Sequence, residues 1–283
     1  RVLFRSLGLQ AQDYFNDKVL EDSDLLYTGM RELGSDFWDQ CGHDVESRKK
    51  DGRIRYRLNG PLCAQLLVNQ FLYQEGEKPL QAIVREVSET TAEIETLTDH
   101  THPKNNTWGI TARNREQNFA LNLLMNPEVD FVTLLGQAGT GKTLLTLAAG
   151  LTQVLEGKRY SEIIMTRVTV PVGEDIGFLP GTEEEKMGPW MGALEDNLEV
   201  LNKSDEAAGD WGRAATRDLI RSRIKIKSLN FMRGRTFLNK FLIIDEAQNL
   251  TPKQMKTLIT RAGPGTKVVC MGNIAQIDTP YLT

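Results

Sequence analysis

Cysteine and histidine are scarce in this chain. Three cysteines, Cys41, Cys63 and Cys270, stand far apart in 283 residues with no CxxC pair. That spacing argues against a disulfide scaffold or a thiolate zinc site and suits a reducing cytoplasm. Of the three histidines, His43 lies near Cys41, and His100 and His102 lie beside Asp99, but no further ligands stand nearby, so neither group reads as a metal site. No run approaches the roughly 18 uncharged apolar residues of a membrane span. The opening residues also lack the charged, apolar and small-residue order of a signal peptide. A net charge of −4 excludes a bulk polycation, so any nucleic-acid contact must come from local basic patches. Internal repeats and low-complexity segments are absent.

What is present fits an ordinary globular chain, with 40% hydrophobic and 25% charged residues, long enough for one substantial core and a smaller unit. Both ends read as cut. RVLFRS reads as a translated sequencing adapter, and QIDTPYLT stops just after an apparent strand and loop.

Residues 1–97 read as a strand-leaning region. In RIRYRL, Ile54, Tyr56 and Leu58 alternate with Arg53, Arg55 and Arg57 after a turn signal at Asp51-Gly52. AIVREV and AEIETL alternate similarly. The polar stretch 98–107 is expected to be a linker. From residue 108 onward, short apolar runs alternate with helical segments. FVTLL, EIIMT, FLIID and KVVCM predict four buried strands, and the alternation predicts an α/β fold with a parallel sheet covered by helices. TPKQMKTLITRAG predicts a helix capped by Thr251, with Pro252 at its first position and Gln254 completing the cap, closing at Gly263-Pro264.

The stretch Gly136, Gln137, Ala138, Gly139, Thr140, Gly141, Lys142, Thr143 satisfies GxxxxGK[ST]. Such a loop wraps phosphate oxygens with inward backbone N–H groups. Lys142 is expected to reach the β- and γ-phosphates and Thr143 to offer its hydroxyl to Mg²⁺. FLIIDEAQN ends an apolar run in Asp245, a second Mg²⁺ holder, and in Glu246, placed to deprotonate an attacking water. The plainer alternative is that these acids open a solvated helix. Gln276, in KVVCMGNIAQID, either senses the γ-phosphate or belongs to an ordinary strand-end turn. Gln117, in ARNREQNFAL, either pairs with the adenine edge, favouring ATP, or sits in a solvated helix start.

Two basic stretches offer nucleic-acid contact. Residues 212–240 carry Arg213, Arg217, Arg221, Arg223, Lys225, Lys227, Arg233, Arg235 and Lys240 against Asp218. The second comprises Arg48, Lys49, Lys50, Arg53, Arg55 and Arg57, with Tyr56 on the opposite, core-facing side. GEDIGFLPGTEEEKM reads as a loop responsive to nucleotide state.

GQAGTGKT, VPVGEDIGFLPGTEEEKM, RGRTFLN, IIDEAQNLTP and LITRAG with KVVCMGN and QID together resemble the PhoH family of P-loop ATPases, in family order across 108–283. The resemblance implies a RecA-like domain with Gly136–Thr143 as Walker A and Asp245–Glu246 as Walker B. It implies that Gln276 is the glutamine of a GDxxQ-type motif whose acid is here Asn273. It also implies an Arg167 near the nucleic-acid side, and an Arg261 that contacts a γ-phosphate from a neighbouring subunit or simply complements a helix dipole. The region before it, with DYFNDKV, resembles the branch that joins a PIN nuclease to a PhoH module. Residues 1–97 would hold that domain's remnant, in which Asp13, Asp17, Asp22 and Asp24 are not expected to act as nuclease ligands. The resulting expectation is a cytoplasmic Mg²⁺-dependent ATPase working with RNA or single-stranded nucleic acid, as a ring or other homo-oligomer. The alternative is a regulatory ATP-binding module that switches a fused PIN nuclease. A small-molecule kinase is disfavoured by Glu246 with Gln276.

Overall fold

Alternation of arginine with apolar residues places Arg53–Asn59 in a strand, as the first of two sheets shows. The computed structural model describes residues 27–41, 45–50, 52–76, 79–167, 196–201, 218–227 and 236–277. Strands β1 (Met30–Glu32), β2 (Glu46–Lys50), β3 (Arg53–Asn59), β4 (Phe71–Gln74), β5 (Leu80–Val87) and β6 (Thr91–Thr96) form a six-stranded sheet in the order β1-β4-β5-β6-β3-β2. Only the β1–β4 pairing is parallel among them. One face buries Leu58, Leu72, Ala82, Val84 and Ile94 against Phe37 of the short helix α1 (Phe37–Gln40). Tyr56 packs on this cluster and meets Trp38 edge-on. Of the three arginines on the other face of β3, Arg53 and Arg55 are paired with acids and Arg57 is exposed. Arg53 and Arg55 bond Glu95 at 3.0 and 2.6 Å, and Arg55 also bonds Glu93, because β6 pairs beside β3 and brings its acids into register.

The stretch 98–107 is held in place by the helix that follows. Thr98 N–H donates to Asn122 and His100 N–H to Asn118, while the buried His100 ring bonds the Asn105 carbonyl. His102 accepts from Lys104 N–H and Asp99 from Thr101, so these side chains shape a turn. Among the described residues no cluster of metal-ligating side chains occurs.

Helix α2 (Arg115–Met125) starts at Asn114, whose side chain accepts from Gln117 N–H. It joins the two halves of the chain. Phe119 stacks on Phe71 of β4 with centroids 4.4 Å apart and rings 4° from parallel, and Arg115 lies over the Tyr73 ring while bonding Glu75. Its other side enters the second core through Leu121 and Leu124.

That core surrounds a five-stranded, all-parallel sheet ordered β7-β11-β10-β8-β9, from β7 (Phe131–Leu135), β8 (Glu162–Arg167), β9 (Ile224–Ile226), β10 (Lys240–Asp245) and β11 (Lys267–Gly272). Successive side chains point to opposite faces. Ile163, Met165, Phe241, Ile243, Val269 and Met271 therefore meet helix α3 (Lys142–Leu151) on one side, and Ile164, Leu242, Ile244, Val268 and Cys270 meet Leu258 of helix α4 (Pro252–Ile259) on the other. Parallel pairing requires such crossover helices, which is why both faces are covered.

Three expectations need correction. FVTLL is an edge strand among the described residues, and Phe131, Thr133 and Leu135 are exposed rather than buried. Part of the basic stretch, Ile224–Ile226, is a fifth strand, since Ile224 is buried against β8. Helix α4 has the expected capping box at Thr251 and Gln254 but ends at Ile259, where the chain turns to pair Phe237 with Ala262. GEDIGFLPGTEEEKM, Asp13 to Asp24, Cys41's neighbour His43, and Arg213, Arg217, Arg233 and Arg235 lie outside the described residues.

Candidate nucleotide site

The glycine-rich loop leaves β7 at its C-terminal end and is anchored at once, because Gly136 N–H donates to the Gly272 carbonyl at the end of β11, 3.1 Å away. Gly141 has φ 89°, a left-handed conformation that costs a side-chain-bearing residue energy, and it turns the chain into α3. Gln137, Ala138, Gly139 and Thr140 are exposed at the loop's crest. The positive end of α3 faces the same mouth, the arrangement that receives phosphate. Lys142 Nζ donates to the carbonyls of Gly136 and Gln137 at 2.6 and 2.8 Å. Burial lowers the pKa of Lys142, and the carboxylates of Asp245 and Glu246 pull it back up, so both acids are within its electrostatic reach. Thr143 is half-buried in the first turn of α3.

Gln117 reaches this loop from α2. Its Nε2 donates to the Thr140 carbonyl at 3.1 Å, and its Oε1 accepts from Arg113 N–H at 2.8 Å. The amide thus ties the loop to the helix that also holds the first sheet.

Strand β10 delivers Asp245 to the C-terminal edge of the sheet, where ligands sit in open α/β folds. Thr143 and Asp245 supply hard oxygen donors of the kind Mg²⁺ takes. Glu246 follows at φ 54°, ψ 39°. A non-glycine residue in that region carries about 1–3 kcal/mol of strain, and neighbours must hold it there. Two do. Arg167, at the end of β8 and in register with Asp245, places a guanidinium nitrogen 3.3 Å from Glu246 Oε1 and another 3.9 Å from Asp245. Gln248 Nε2 donates to Glu246 Oε2 at 2.6 Å. The same nitrogen donates to the Gln276 carbonyl, and Gln248 Oε1 accepts from Asn273 N–H. Sequence reasoning placed Arg167 at a nucleic-acid side and passed over Gln248, whose only sequence signal is an amide two residues beyond an acid pair.

Other predicted residues fall elsewhere. Asn273 caps the turn by accepting from Ala275 N–H, and the Gln276 side chain is exposed on it. Arg261 lies just ahead of β11, its carbonyl bonded to Phe237 N–H ahead of β10. That is the N-terminal edge of the sheet, one strand length or roughly 20 Å from the loop, so the chain does not bring Arg261 to its own Lys142. Arg221 and Arg223 are exposed at that same far edge, and Arg223 donates to the carbonyl of Ser161, which precedes β8.

A family profile described as PhoH-like protein matches residues 109–283. The chain belongs to the PhoH family. Protein PhoH2 of Bacillus subtilis is 38% identical over 283 residues, covering 100% of this chain and 61% of that protein. Protein PhoH2 of Mycolicibacterium smegmatis is 32% identical over 286 residues, covering 98% and 58%. The chain therefore spans about three-fifths of the length of the curated relatives it matches. Among solved structures, the Sulfolobus solfataricus SWI2/SNF2 ATPase core in complex with dsDNA aligns with a TM-score of 0.36 and 17% identity, over 62% of this chain and 34% of that one. The PhoH match takes in α2, the glycine-rich loop and the whole parallel sheet, an α/β core, and leaves the six-stranded sheet ahead of it. No helix among the described residues is long and apolar enough to cross a membrane.

Proposed function

We propose that this chain is a Mg²⁺-dependent ATPase of the cytoplasm that works with RNA or another single-stranded nucleic acid. The observation that carries the reading is that the loop of Lys142 leaves β7, and Asp245 and Glu246 leave β10, at the same C-terminal edge of one parallel sheet, with both carboxylates acting on the lysine's charge. Lys142 and the loop N–H groups would bind the phosphates, Thr143 and Asp245 would hold Mg²⁺, and Glu246 would take a proton from the attacking water. Bound Mg²⁺ would neutralise charge on the phosphate oxygens. Gln117, on α2 beside the loop, would read the adenine edge by exchanging its partners, and Gln276 would sense the terminal phosphate.

The exposed Arg221 and Arg223, and the unbalanced charge of the stretch that contains Arg233 and Arg235, support nucleic-acid contact through phosphates. Arg261's position at the far edge supports service to a neighbouring subunit in a ring or other homo-oligomer rather than to its own loop. A second reading, in which ATP binding switches a fused PIN nuclease without sustained turnover, is favoured by one fact. Both oxygens of Glu246 already have partners, Arg167 and Gln248.

Phosphate release from Mg²⁺·ATP, measured with and without single-stranded RNA, separates the two. Steady release that RNA accelerates is the expected result. Tight ATP binding with no release above the Lys142→Ala background, RNA present or not, would leave the regulatory reading standing.

A further inference from the structure

Gln248 makes three hydrogen bonds at the site through its amide. One N–H reaches Glu246 Oε2 at 2.6 Å, the Gln276 carbonyl lies 3.0 Å from the same nitrogen, and the carbonyl oxygen accepts from Asn273 N–H at 3.2 Å. Both N–H groups therefore have acceptors, and the oxygen uses one of its two lone pairs. The close approach is built in. A Cβ on Gly272 would lie 2.8 Å from Gln248 Oε1, so a side chain there would force the amide away. Gly272 also accepts from Gly136 N–H. The end of β11 is therefore bonded to the phosphate loop on one side and, through Gln248, to Glu246 on the other. Glu246 itself sits in a left-handed conformation that needs holding.

We infer that Gln248 is a positioning residue for ATP hydrolysis, holding the Glu246 carboxylate to the 273–276 turn so that the turn's position sets the carboxylate's aim. The inference rests on the ATPase reading, in which Glu246 is the base. Glu246 is held at Oε1 by Arg167 and at Oε2 by Gln248, and of these two Gln248 is the one bonded to the 273–276 turn. A shift of the turn therefore reaches Glu246 without any change in the loop that grips the nucleotide. Binding and turnover separate at this residue.

The test uses the full chain with Mg²⁺·ATP and single-stranded RNA, and four proteins: wild type, Glu246→Gln, Gln248→Ala and Gln248→Glu. Gln248→Ala is expected to lower kcat about 10-fold, the loss that follows removal of one hydrogen bond to a charged group. KM for ATP, affinity for a fluorescent ATP analogue and Tm should stay near wild type. Gln248→Glu keeps the size and sets a second carboxylate against Glu246, and two such neighbours resist joint ionisation. The acid limb of its kcat profile should therefore move up by about one pH unit or more. A merely structural glutamine would not move that limb. Full kcat in Gln248→Ala, or a fall in kcat only in step with Tm and KM together with an unmoved pH profile in Gln248→Glu, overturns the inference. Inactive Glu246→Gln beside fully active Gln248→Ala removes only the role of Gln248. Equal rates in wild type and Glu246→Gln remove the function on which it rests, and the inference with it.

Discussion

The Arg167 guanidinium lies 3.3 Å from the Glu246 carboxylate, across two neighbouring parallel strands and 79 residues of sequence. Arg167 and Glu246 are 34% and 27% exposed, so water screens the pair and it contributes about 1 kcal/mol or less to stability. If Arg167 also contacts a nucleic-acid phosphate, Arg167→Ala weakens RNA binding alike for all sequences and lowers the slope of log affinity against log salt by about one. Filter binding across a salt series reads this. An unchanged slope would leave Arg167 as an ion-pair partner of the two acids alone.

Glu246→Gln keeps the shape of the side chain and removes the base. Nucleotide affinity should persist while phosphate release falls by roughly 10²-fold or more. Single-turnover release together with nucleotide titration checks both halves, and undiminished release would take Glu246 out of the chemistry.

Phe119→Ala should cost about 3–5 kcal/mol, since it removes the ring stacked on Phe71 and opens the small cluster joining the first sheet to α2. The same helix carries Gln117, which bonds the Thr140 carbonyl. Weaker ATP binding should therefore accompany the lower Tm. Calorimetry and nucleotide titration on one preparation would show whether the two effects travel together.

Lys267 is fully buried at the start of β11, and its Nζ donates to the carbonyls of Leu123, Asn126 and Val129 near the end of α2. Burial pulls its pKa down to about 8, helped by Arg159 and opposed by Asp130. An unfolded lysine titrates near 10.5, so between the two values the unfolded chain holds more protons than the folded one. Stability from this group therefore rises with pH across that window, by on the order of 1–3 kcal/mol. Lys267→Met removes the desolvated charge, a gain at neutral pH, and leaves three carbonyls without their donor, a loss, so the two effects oppose each other there. It should also abolish the alkaline gain. Urea melts at pH 7, 9 and 10 would measure both.

The corrections share one origin. FVTLL has the composition of an interior strand, but its exposure depends on which strands flank it, and on one side the described residues supply none. Arg53 and Arg55 make a basic stripe in sequence. The antiparallel register of β6 sets Glu93 and Glu95 beside these two and offsets their charge. Ile224 is buried because β8 lies next to it, a neighbour that local composition does not name.

The local chemistry was legible in the chain because it is contiguous. A glycine-rich loop before Lys142 and Thr143, an apolar strand ending in Asp245 and Glu246, and a capping box at Thr251 each form within a few residues, where covalent spacing alone sets which groups meet. The order of the strands decided the rest. It brings β8 beside β10 so that Arg167 meets Glu246, brings β11 beside β10 so that Gln248 meets Asn273 and Gln276, and carries Lys267 to a carbonyl 144 residues away. Such contacts arise only after hydrophobic burial has stacked the sheet between its helices, since loop closure over long separations is unfavourable until the packed core offsets it.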